Sequence, residues 1–148
     1  MAFWSLLLLF VYYDIDRWIP LGNWNGQHHW PVANDQFTLD LVIAAVLTVT
    51  ILSFYRGIRL GMVLGTALLA LWVYFHLQTW WIPYAEGVHS AKTIAFYLQF
   101  QQHTQLLPTF NHHFAPDAEH IFIDVFVFPA FASCLLACVQ AFRRSDVH

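Results

Sequence analysis

The sequence predicts an all-α integral membrane protein, a single polytopic domain over residues 1–148 built as a four-transmembrane-helix bundle with an interfacial helix in the long second outer loop. Three observations predict it. Hydrophobic residues make up 59% of the chain and charged residues only 10%, against roughly 45–50% and about 25% in ordinary soluble domains. Apolar runs recur at the length needed to cross about 30 Å of hydrocarbon, roughly 20 helical residues. The few basic residues gather at one set of run ends, as they do at the cytoplasmic ends of spans.

The first span is placed at about 2–21. Its purely apolar part, Ala2–Tyr13, is followed by "DIDRW" and rises only about 18 Å at 1.5 Å per residue. No Lys or Arg precedes this run and no small-residue cleavage site follows it, so a span is expected rather than a signal peptide. The other spans are expected at about 37–55, 60–82 and 121–142. Arg56 and Arg59 lie between spans two and three, and Arg143 and Arg144 follow span four, leaving Arg17 and Lys92 for the opposite side. Both termini are therefore predicted to be cytoplasmic and the His-rich loops to be outside. Trp18, Trp24, Trp30, Trp80, Trp81 and Tyr84 would then form an outer aromatic belt.

Between spans one and two, "GNWNGQHHWPVANDQ" is rich in turn residues and reads as an irregular cap. The later loop contains "HSAKTIAFYLQFQQHTQLLP", where Ile94, Tyr97, Leu98 and Leu106 fall near one helical face. This pattern predicts the interfacial helix.

Gly57, Gly61 and Gly65 recur every four residues, letting a neighbouring helix approach closely, and are candidate contacts for other membrane subunits. Ala130, Cys134 and Cys138 repeat the device on span four. Both cysteines are expected to act as small packing residues, the usual part of a buried free Cys. Pro129 should bend that span, because it removes a backbone hydrogen bond.

Polar residues within the spans fall at one depth. Measured from the basic or terminal anchor of each helix, Asp14, Asp16, Asp40, His76 and Asp124 lie about 20 to 28 Å up. Ionisable groups so placed face the bundle interior and find partners there, because exposing them to lipid is costly. On span four, Asp117, His120 and Asp124 at i, i+3 and i+7 share a face within about 60°, while Glu119 points away. Pro116, Asp117 and Glu119 also make an ordinary helix start. Capping does not explain Asp124 or His76. Asp14 is expected to pair with Arg17 at i+3.

A His between two carboxylates suits a proton relay, or a Zn or Cu site with His112, His113, His28, His29 or His103 as further nitrogen ligands. No HExxH or paired CxxC supports a metal signature, and no Walker or nucleophile-elbow motif is present. Six basic residues spread over the chain exclude a nucleic-acid footprint. The leading expectation is a protein that binds a cation or polar ligand in an outward-facing His/Asp cavity, alone or as a subunit of a membrane assembly. Two alternatives stand beside it: an acid–base enzyme (isomerase, hydratase or cyclase type) on an apolar or lipid-like substrate, and a structural accessory subunit without activity.

Overall fold

The computed structural model describes residues 1–26, 28 and 37–143. His29, Trp30, Asp35 and Arg144 lie outside the described residues. The architecture is helical. Helix α1 covers Ala2–Trp18, α2 Phe37–Arg56 and α3 Arg59–His76; α3 continues through a π-helical turn, Leu77–Trp81, into α4, Ile82–Glu86. Helix α5, Ala91–Leu98, runs into a 3-10 turn at Gln99–Gln102, and α6 covers Ala118–Arg143. Among the described residues, three helical stretches are long and apolar enough to cross a membrane: Phe37–Arg56, Arg59–Glu86 and Ala118–Arg143.

Helix α1 stops at Trp18, short of the expected Leu21. Ile19 is extended, with φ −114° and ψ 128°, because it precedes Pro20 and the pyrrolidine ring disfavours the helical region for the residue before it. Asn25 closes this end. Its Nδ2 donates to the Asp16 carbonyl at 2.6 Å and to the Ile19 carbonyl at 2.9 Å, satisfying carbonyls that a helix end leaves without partners.

Helix α1 packs on α2 and α6, and α3 packs on the same two. The four therefore close a ring around a core that includes Leu6, Leu9, Leu47, Leu69, Val127 and Cys134. The outward faces are apolar as well: Leu8, Val49, Leu64 and Leu136 are all exposed. Helices apolar all round suit a hydrocarbon surround and not water. Cys134 and Cys138 are free and buried, and Cys138 Sγ lies 3.3 Å from the Thr66 hydroxyl.

The glycine repeat serves a contact inside the chain. A Cβ at Gly61 would collide with Ser53 of α2, and one at Gly65 with Thr50. Both hydroxyls donate to carbonyls of their own helix one turn back, so the contact is tight without an unpaired polar group. Gly57, at φ +68°, forms the turn between the two helices.

A second, smaller cluster, Trp80, Val88, Tyr97 and Phe114, caps one end of the ring. Helix α5 gives it Tyr97 and the half-buried Ile94, whereas Leu98 and Leu106 stay exposed. Only part of the expected apolar face is packed within the chain. The loops lock over this end: Thr104 N–H donates to the Asn23 carbonyl at 2.7 Å, and Ala118 N–H to Thr104 at 2.8 Å.

Candidate functional site: a buried histidine–carboxylate layer

The ends of α1, α2, α3 and α6 beneath this cap bring most of the spaced polar residues together. Asp16, Asp40, Asp117, Glu119 and Asp124 are each 3% exposed or less. Carboxylates are almost never so deeply buried unless paired.

The α3–α6 pair comes first. His76 Nδ1 is 2.8 Å from Asp124 Oδ1, and the Trp81 indole N–H donates to Asp124 Oδ2 at 2.6 Å. Trp72, one turn before His76, donates its indole N–H to Nε2 at 2.9 Å. An indole only donates, so Nε2 must accept. The ring proton is therefore on Nδ1, directed at Asp124. The π turn makes this set geometrically accessible. Its wider i→i+5 repeat suits the spacing of His76 and Trp81, which both reach the same carboxylate.

Asp117, immediately before α6, holds two imidazoles. Its Oδ1 lies 2.5 Å from His120 Nδ1 and accepts the His120 backbone N–H at 3.1 Å, and its Oδ2 lies 2.6 Å from His103 Nδ1. Capping and histidine binding thus coexist in one side chain. Burial disfavours the Asp117 charge, but the hydrogen bonds and charge interaction from His120, together with the bond from His103, hold its pKa below the ordinary carboxylate value. His120 packs closely against Trp80, with centroids 4.0 Å apart and the rings tilted by 42°, and its ring centroid lies 5.9 Å from that of His76. No hydrogen bond among the described residues engages its Nε2. His103 is set by Gly26, where a Cβ would come within 2.6 Å of its Nε2 and φ is +69°.

The third group joins α1 to α6. Arg17 Nη2 donates to Glu119 Oε1 at 2.5 Å, and Arg17 Nε is 3.7 Å from Asp16 Oδ2. Asp16 is fully buried, and neither carboxylate oxygen has a hydrogen-bond partner among the described residues. The ionisable side chains around it include Arg17, Glu119 and Asp117. His103, Asp117 and Glu119 each bring a ligand atom within 4.8 Å of the others. On α2, Asp40 accepts the Tyr13 hydroxyl at 2.8 Å.

Two expectations need correction. Glu119 does not point away: it is 3% exposed and takes the Arg17 guanidinium. Helix α1 packs on α6 and brings Arg17 to Glu119, so this residue too is buried in the bundle. For the same reason Arg17 reaches Glu119 rather than Asp14, which is half-buried beside Trp18. Among the loop histidines, His103 joins the layer. His113 instead donates Nδ1–H to the Tyr84 carbonyl at 2.8 Å and stacks on Phe110. His28 and His112 are exposed. The single-sequence reading missed Trp72, Trp81, Tyr13 and Glu119 as members of the layer. Trp72 and His76 did carry a signal, the i, i+4 spacing of neighbours on a helix.

A cavity of about 160 Å³ opens beside the layer, lined in part by Tyr13, Arg17, Asp40, His76 and His120. No protein-family model matches the chain, and no curated protein or solved structure matches it.

Proposed function

We propose that the chain is a four-helix membrane protein that binds a cation in this layer, with Asp16, Glu119, Asp117 and His103 as the ligand set. The single observation that carries the reading is the Asp16 carboxylate, fully buried with no hydrogen-bond partner among the described residues and its ion-pair partner, Arg17 Nε, 3.7 Å away. Around it stand Glu119 and Asp117, and one guanidinium serves both Asp16 and Glu119. Several kilocalories per mole oppose the burial of each unpaired ion. A bound cation offsets that penalty. Carboxylate oxygens with one imidazole suit Zn²⁺ or Mn²⁺ better than a soft ion such as Cu⁺, which favours thiolate and thioether ligands. His120, bonded to Asp117, would orient that ligand as second partners of metal ligands do.

Helix α1 rises about 25 Å over its 17 residues and acts in this reading as the fourth span. Arg56, Arg59 and Arg143 mark the cytoplasmic end, which puts the layer and its histidine loops outside, with α5 at the interface. His76 serves as structure, since both ring nitrogens are committed. An acid–base role is correspondingly less suited to it. Gly61 and Gly65 are occupied by α2, which weakens the case for an accessory subunit that docks through them.

The test is elemental analysis of protein extracted without chelator, followed by Zn²⁺ and Mn²⁺ titration of the stripped protein. One bound ion per chain is expected, with affinity lost by at least about tenfold in Glu119→Gln and Asp16→Asn, on the scale of a lost ligand or its support. Stripped protein that binds neither ion, or variants that bind as tightly as the parent, would refute the proposal.

A further inference from the structure

The cavity beside the layer continues into an apolar groove. Helices α2 and α3 are pinched together at Gly61–Ser53 and Gly65–Thr50. Beyond the pinch, the cleft between them has a volume of about 440 Å³ and is lined by residues such as Val46, Leu68, Leu71 and Phe75. Leu39, Ile43 and Trp72 line both this cleft and the polar cavity. The two are therefore adjoining parts of one site, apolar along the helices and polar at the end. Leu68, Leu71 and Phe75 are 46%, 51% and 60% exposed, so the groove opens sideways, where the surrounding hydrocarbon would lie. From Gly65 to Phe75 it runs about 15 Å, at the helical rise of 1.5 Å per residue.

We infer that this composite site binds one single-chain lipid whose head is an uncharged hydroxyl, the chain lying between α2 and α3 and the hydroxyl sitting between His120 and Arg17. Three observations select that head group. Asp117 occupies Nδ1 of His120, so the neutral ring carries its proton there and presents Nε2 as an acceptor. The guanidinium of Arg17 lines the same cavity and has five N–H donors, of which Glu119 takes one. One oxygen that donates to a histidine and accepts from an arginine is a hydroxyl. A carboxylate or phosphate head would face Asp16, Asp40, Asp117, Glu119 and Asp124, all buried around this end, against a single guanidinium. Even a bound divalent cation leaves that surround negative. His76 does not compete for the head, because Trp72 and Asp124 already hold both its nitrogens. The recognising atoms are not cation ligands: Arg17 touches Glu119 and His120 touches Asp117, but the head group would meet the free Nε2 of His120 and the remaining N–H groups of Arg17.

The experiment uses the full chain in nanodiscs and three photoactivatable probes of equal length: a long-chain alcohol, the matching fatty acid and the matching hydrocarbon. Crosslinks are mapped by peptide mass spectrometry, with and without chelator. The alcohol should label α2 and α3 between Ile43 and Phe75, be displaced by unlabelled alcohol, and exceed the acid by about tenfold, the effect of one or two well-made polar contacts. His120→Phe should erase the preference for alcohol over hydrocarbon, while Leu68→Trp should block labelling by filling the groove. Leu68 is exposed, so this second variant tests the idea even if His120→Phe folds poorly. Equal, undisplaced labelling by all three probes would mean ordinary surrounding lipid and overturn the proposal. Protection from all three would mean that another helix fills the groove, with the same consequence. Retained alcohol preference in chelator-treated protein that binds no ion would uphold the lipid site and sink the cation site alone.

Discussion

Replacing Asp124 with Asn tests the hydrogen-bond logic of the α3–α6 contact. Asp124 is 3% exposed and accepts two N–H groups, from His76 at 2.8 Å and from Trp81 at 2.6 Å. Asn keeps one acceptor oxygen and turns an NH2 towards the other donor. One bond to a charged group, worth about 1.5–3 kcal/mol, is lost, and a buried donor is left unsatisfied at about 1–3 kcal/mol. Removing a buried charge returns part of this, so the net destabilisation expected is about 2–4 kcal/mol. His76 would ordinarily rescue the variant by moving its proton to Nε2 and accepting from Asn at Nδ1. The Trp72 indole N–H, 2.9 Å from Nε2, forbids that tautomer. Trp72→Phe should therefore lift the block. Equilibrium unfolding in mixed detergent and dodecyl sulfate micelles, followed by circular dichroism, measures the cycle. The double variant Trp72→Phe/Asp124→Asn is expected to be more stable than the sum of the single effects by about 1–2 kcal/mol, the size of coupling seen within one hydrogen-bond network. Additivity within about 0.5 kcal/mol, the behaviour of independent sites, would refute both the tautomer assignment and the network.

Gly26→Ala should lose about 1–2 kcal/mol to left-handed strain and push His103 off Asp117, since the new Cβ would lie 2.6 Å from Nε2; imidazole nitrogen shifts in an NMR spectrum of labelled protein would show the displacement. Asn25→Ala strips two carbonyl partners from the end of α1 and is expected to cost about 1–3 kcal/mol, with hydrogen exchange accelerating at the outer turn of α1 before it does elsewhere. Gly65→Val should force α2 and α3 apart at Thr50 and lower stability by about 1–3 kcal/mol, the cost of overpacking; an unchanged thermal midpoint would contradict the pinch. Cys134 and Cys138 should resist maleimide in the folded protein and react in denaturant, and Cys134→Ala should keep metal binding intact.

The helical class, three of the four expected spans and the existence of a polar layer were legible in the chain because they depend on quantities that add along it. Hydropathy summed over a window marks Phe37–Arg56 and Ala118–Arg143, and the constant rise of a helix puts Asp40, His76 and Asp124 at comparable depth. Local steric rules reach as far as a helix end, as Pro20 does at Ile19. Which side chains meet within the layer was decided by tertiary structure, because the rotation of each helix about its own axis is fixed only by what packs against it. Helix α1 packs on α6, turning a residue expected to point away from the Asp117–His120–Asp124 face into the partner of Arg17. The π turn at Leu77–Trp81, invisible to a wheel of 100° per residue, brings Trp81 onto Asp124. The stretch holding Asp117, His120 and Asp124 contained its carboxylates and imidazole from the start. Folding supplied His103 from a loop and Asp16 from another helix, and with them the crowding of buried carboxylates on which the cation proposal stands.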